Sequence, residues 1–187
     1  MASKVEIINQ ALGSIGALRI AAADEDSENA RHMNSIYDVT VKGLLRGHPW
    51  SFAKKETALS QVVEDPVLDD YEYIYTLPSD FVKLTKTSQQ PTYSHKIKGK
   101  RLYSNASSIN IEYIYFVEDP TVFDDSFVEA LAGELAAKIA YSLTRDKEVA
   151  KIAIALAKST LMTAKNMNAQ EVTPDAPTND TWINSRV

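Results

Sequence analysis

A chain of 187 residues, 44% of them hydrophobic, is long enough for one domain with a sizeable insertion and apolar enough to build a core, which excludes wholesale disorder. Its formal charge of −5 argues against general nucleic-acid binding while leaving room for local basic patches. The absence of cysteine removes disulfides, thiolate nucleophiles and cysteine-ligated zinc and suits a reducing cytoplasm; no basic-then-apolar leader opens the chain, so secretion is not expected.

Val5, Ile8, Leu12 and Ile15 recur at three- and four-residue spacing, which predicts a helix over residues 4–15 ended by Gly13 and Gly16. The acidic run Asp24, Glu25, Asp26 starts a second helix, with Ala30, Met33, Tyr37, Val41 and Leu44 on its inner face. That helix must stop before Pro49, because the residue preceding a proline disfavours the helical region. His48-Pro49-Trp50-Ser51-Phe52-Ala53 is an aromatic corner, and Trp50 and Phe52 are expected to seal the end of a helical core. Residues 61–70 are polar and acidic and read as a surface loop.

The pattern changes at Tyr71. Tyr71, Tyr73, Tyr75 and Leu77 alternate with Glu72, Ile74 and Thr76, the period-2 signature of a strand. Pro78-Ser79-Asp80 turns the chain, and residues 82–87 read as a second strand. Residues 94–98 and 101–104 flank Gly99-Lys100 as a tight hairpin. In residues 109–117, Ile109, Ile111, Tyr113, Tyr115 and Val117 share one face of a further strand.

Residues 123–143 predict the central helix. Val128, Ala132, Leu135 and Ile139 form an apolar stripe, and Ala130, Gly133, Ala136, Ala137 and Ala140 offer a side that another backbone can approach closely. Asp124 and Asp125 suit its N-terminus, and Glu134 with Lys138 is an i,i+4 pair. A turn at Arg145-Asp146 leads to a fourth helix over residues 147–169, with Val149, Ile152, Ala153, Leu156, Thr160, Ala164 and Met167 expected inward. Lys147, Lys151, Lys158 and Lys165 line the face expected to lie opposite. Residues 171–187, with Pro174 and Pro177, form a polar tail whose Trp182 and Ile183 suggest docking.

The fold class is therefore mainly α with a small antiparallel β insertion (α+β). A four-helix core spans residues 1–70 and 118–170, an inserted β region spans 71–117, and an extended C-terminal tail spans 171–187.

Enzyme signatures are thin. His32, His48 and His95 lack metal-ligand spacing, no Gly-rich loop follows a strand, and Ser14 and Ser51 have no nucleophile-elbow context. Glu129 with Glu134, or Asp124 with Asp125, could be imagined as a glycosidase acid and base, but one pair lies on a helix and the other caps it. The expectation is no catalysis, no cofactor and no metal. Lys96, Lys98, Lys100 and Arg101 on the hairpin, and the lysine line of the fourth helix, offer non-specific attraction to a phosphate backbone or an acidic protein surface. No base-reading motif accompanies them.

An ordered series of residues spans nearly the whole chain. It begins with Asn9-x-Ala11-Leu12-Gly13-x-Ile15-Gly16, Tyr37, Leu44-Leu45-Arg46 and Pro49-Trp50-x-Phe52-Ala53. It continues with Tyr75-x-Leu77-Pro78-x-Asp80, Tyr113-Ile114, Asp119-Pro120, the helix Phe127-x-x-Ala130-Leu131-Ala132-x-x-Leu135-Ala136, and the Trp182-Ile183-x-x-Arg186 ending. In this order it resembles the head-to-tail adaptor family of short-tailed bacteriophages, the tail tubular protein A type. The resemblance implies a twelve-subunit ring at the head-to-tail junction of the virion, made in the host cytoplasm. Such a ring docks to a portal protein, carries a tail nozzle protein and lets double-stranded DNA pass through its lumen without sequence specificity. It brings no catalytic residues. Trp182, Ile183 and Arg186 are the expected docking anchors, and the basic hairpin is the expected contact to a neighbouring subunit or the tail. No membrane contact is expected. A virion-associated peptidoglycan hydrolase and a DNA-binding regulatory protein are the readings from other classes.

Overall fold

The computed structural model describes residues 2–64, 71–88 and 94–171. Trp182, Ile183 and Arg186 lie outside the described residues.

The first helix, α1 (Lys4–Ser14), opens on a reciprocal cap. The Ser3 hydroxyl accepts the Glu6 N–H, and the Glu6 carboxylate accepts the Ser3 N–H. Gly16, at φ +72°, closes it by letting the Ala17 and Gly16 amides reach back to the Leu12 and Gly13 carbonyls. The link to α2 (Glu28–Gly47) is stapled by three asparagines. Asn9 exchanges two bonds with the Ile20 backbone, Asn29 donates to the Leu18 carbonyl and Asn34 donates to the Ala23 carbonyl. Ser27, not the acidic run before it, is the N-cap of α2. Its buried face carries Ala30, Met33, Tyr37, Val41 and Leu44, as the periodicity predicts.

The aromatic corner seals the core as expected. Trp50 is fully buried, donates its indole N–H to the Leu44 carbonyl at 3.0 Å, and meets Phe127 edge-on at 5.0 Å. Phe52, Phe123 and Phe127 complete the cluster.

The β region starts earlier than its sequence announces. Strands β1 (Lys54–Ala58) and β2 (Ser60–Val62) precede β3 (Tyr73–Thr76), β4 (Phe81–Thr87), β5 (His95–Lys98), β6 (Arg101–Ser104) and β7 (Asn110–Tyr115). Gln61 and Val62 therefore belong to a strand, not to a surface loop. Two antiparallel sheets result, one of order β1-β7-β4 and one of order β2-β3-β6-β5. The hairpin β5–β6 turns at Gly99-Lys100, with Gly99 at φ +61°, a value that costs glycine little. Strand β7 is buried on both faces. Ile111 and Tyr113 pack with Tyr75, Leu77 and Leu102 between the sheets, and Ile114 joins the helical core.

Helix α3 (Asp125–Thr144), N-capped by the Asp124 carboxylate, is the central helix and packs on α1, α2 and α4 (Lys147–Gln170). The Lys138 ammonium donates to the Thr40 hydroxyl of α2 at 2.8 Å and not to Glu134, so the i,i+4 pair is replaced by a tie between helices. Arg145, at φ +57°, makes the left-handed turn into α4.

The largest departure from expectation is the rotation of α4. Its buried residues are Ala153, Ala157, Ala164 and Asn168, whereas Ile152, Leu156 and Met167 are exposed. At 100° per residue the buried face is turned by roughly 60° from the expected one. The cause is Gly133 on α3: a Cβ there would sit 3.3 Å from the Ala157 Cα, so the helices touch backbone to backbone through their smallest side chains. Bulky Ile152 and Leu156 cannot enter that seam and lie beside it. The fold is thus α+β, four helices with two antiparallel sheets. Among the described residues, no helix is long and apolar enough to cross a membrane.

Candidate functional site

Two surfaces stand out from the described residues, one apolar and one basic. The apolar surface follows from the α4 rotation. Ile152, Leu156 and Val149 of α4 face Ile15, just past the end of α1, and Ala132 and Ala136 of α3 across a groove of about 330 Å³. Ile152 is 67% exposed, Leu156 50% and Met167 53%, values far above those of a settled core side chain. Glu129 lies at the rim and Glu134 is half-buried on the same helix; the groove walls are otherwise aliphatic, with Gln10, Ser14 and Thr160 as the polar exceptions.

The basic surface is a cleft of about 600 Å³ between the end of α2, β4 and the β5–β6 hairpin. Arg46, Lys83, His95 and Lys100 line it, and among the described residues no carboxylate does. Arg46, in the last turn of α2 where a cation suits the helix dipole, donates to the Val82 carbonyl at 2.9 Å. Asp80, on the turn before β4, is already engaged by the Lys55 ammonium at 2.9 Å and the Tyr113 hydroxyl at 3.0 Å. Burial and that carboxylate push the Tyr113 hydroxyl up to about 12.

No protein-family model and no curated protein matches this chain.

The four hairpin cations do not act as one cluster. Lys98 lies over the Tyr103 ring at 5.0 Å and Arg101 pairs with Glu64 at 2.7 Å, so both are engaged inside the subunit. Lys96 is exposed, and Lys100 turns into the cleft. On α4, Lys147, Lys151, Lys158 and Lys165 share one flank of the helix, not the face opposite the core; Lys151 is paired with Glu148 at 2.7 Å.

One cluster was invisible in the sequence. The Asn168 side chain, buried near the end of α4, accepts the Ser51 N–H at 2.8 Å through its carbonyl oxygen. That fixes its NH2 toward His48, whose Nε2 it meets at 3.0 Å and which must then be a neutral acceptor. Burial first, then the nearby Lys165, Lys83 and Lys54 charges, hold the His48 pKa below its usual value. Residues 120 positions apart thus clamp α4 to the aromatic corner. Among the described residues no group of three or more histidines and carboxylates could hold a metal ion.

Proposed function

We propose that this chain is a structural subunit of a phage head-to-tail connector, forming a ring that docks to a portal protein, passes DNA and carries the tail nozzle. The observation that carries this reading is the exposed apolar flank of α4. Ile152 and Leu156 lie in water along the wall of an open groove, and exposed apolar surface of this kind is what a subunit covers on assembly. The ordered residue series of the adaptor family supports the same reading. In this proposal twelve copies close the ring, and Trp182 and Ile183 anchor it to the portal beside Arg186. Multiplication around a ring turns a modest contact per subunit into firm attachment.

The test is native mass spectrometry of the full chain with and without a candidate portal ring. The expected result is a closed oligomer, or a monomer that assembles on the portal, with Trp182→Ala sharply weakening attachment. A chain that stays monomeric and never binds a portal ring overturns the proposal.

A further inference from the structure

The basic cleft has a counterpart elsewhere on the same chain. Four carboxylates, Asp24, Glu25, Asp26 and Glu28, fall within five residues at the start of α2. Glu25 is turned inward, accepting the Ala21 and Ala22 amides, and Asp26 pairs with Arg31. Asp24, Asp26 and Glu28 are exposed. The backbone that presents them is held by Asn29 and Asn34, so the acidic turn is shaped before any partner arrives. The cleft lies at the other end of the same helix. At 1.5 Å per residue, the 20 residues of α2 separate the two features by about 30 Å.

We propose that the Arg46–Lys83–Lys100 cleft receives the acidic turn at residues 24–28 of a second copy of this chain. An acidic end and a basic end on one rigid helix make a heterologous contact: each copy offers its turn to one neighbour and its cleft to the next. Such a contact closes into a ring or runs into a filament, and never stops at a symmetric dimer. Among the described residues, Lys83 and Lys100 have no ion-pair partner, and a volume of about 600 Å³ accommodates several acidic side chains. A chain of net charge −5 carrying a cleft lined by Arg46, Lys83 and Lys100 selects a like chain through its densest run of acid. The contact rests on the assembly reading above and adds to it the surfaces that join neighbours.

The experiment uses two full-length variants, Lys83→Glu/Lys100→Glu and Asp24→Lys/Asp26→Lys, each checked for an unchanged melting temperature. Light scattering and native mass spectrometry then follow assembly. Wild type should form oligomers larger than dimers that loosen when salt rises from about 0.1 to 1 M, over which the screening length shrinks from about 10 to 3 Å. Each variant alone should associate at least about tenfold more weakly. An equimolar mixture should assemble again, because the intact turn of one variant meets the intact cleft of the other and the two reversed surfaces also carry opposite charges. Variants that assemble like wild type overturn this contact and leave the assembly reading standing. A wild-type chain that is monomeric at every concentration overturns it too, while portal binding in the preceding assay would keep the connector reading. If the Lys83→Glu/Lys100→Glu variant assembles normally but loses retention of duplex DNA, the cleft's partner is a phosphate backbone and the proposal fails.

Discussion

The seam between α3 and α4 can be tested by making one substitution at two glycines. A Cβ added at Gly133 falls 3.0 Å from the Thr160 Oγ1 and 3.3 Å from the Ala157 Cα. The Ala157 backbone cannot swing aside, and the Thr160 hydroxyl is held by the Leu156 and Ala157 carbonyls, each at 3.1 Å. Gly133→Ala gains about 1 kcal/mol of helix propensity and incurs about 1–3 kcal/mol of overpacking, a net loss of about 0–2 kcal/mol. Gly43, inside α2, has nothing within 4 Å of an added Cβ, so Gly43→Ala collects the propensity alone, about 1 kcal/mol of stabilisation. Urea denaturation at low protein concentration should therefore separate the two variants by about 1–3 kcal/mol. In thermal scans each kcal/mol corresponds to roughly 2–4 °C at this chain length. If Gly133→Ala raises the midpoint as much as Gly43→Ala, the helices are not in backbone contact and the account of the α4 rotation is wrong.

Leu135, fully buried at the centre of α3, should cost roughly 2–5 kcal/mol when cut to Ala; a loss below about 0.5 kcal/mol in chemical denaturation would contradict its central place. Arg145→Gly should stabilise by about 0.5–1 kcal/mol, because glycine accepts the left-handed turn at φ +57° without the Cβ conflict, and an unchanged or lowered midpoint would count against strain there. His48 gives a pH dependence. Its folded pKa lies below the unfolded value of about 6.5, so the unfolded chain takes up the proton first. The clamp's contribution is complete above pH 6.5 and is lost as pH falls through the folded pKa. Melting temperatures from pH 8 to 5 should fall more steeply for wild type than for His48→Gln, and parallel curves would remove His48 as the cause.

The helices were legible because each repeats apolar residues every three or four positions and carries its own caps, as Ser3 with Glu6 and Asp124 do. The facing of α4 was not. A reading of periodicity follows bulk, and Ile152, Leu156 and Met167 outweigh the alanines; the seam instead selects smallness, a property set by Gly133 on a different helix. Strand β1 was hidden for a related reason. Lys54-Lys55-Glu56-Thr57-Ala58 has no apolar alternation, and its strand conformation comes from pairing along β7. Of the basic hairpin, position and turn could be read, but not that Tyr103 and Glu64 occupy two of its four cations. Cleft and clamp alike join distant residues, such as Arg46 with Lys100 and His48 with Asn168, and no local pattern encodes such pairs.

Strand β7 has a mechanical consequence. It is hydrogen-bonded along both edges, to β1 and to β4, while its two faces belong to different hydrophobic cores. These two ladders and two packed faces tie the β region to the helices at many points at once. The β region is therefore a strut and not a detachable cassette. Cutting it out would strip Ile114 and Val117 from the helical core, so a shortened chain built without these strands should not hold the remaining helices in place.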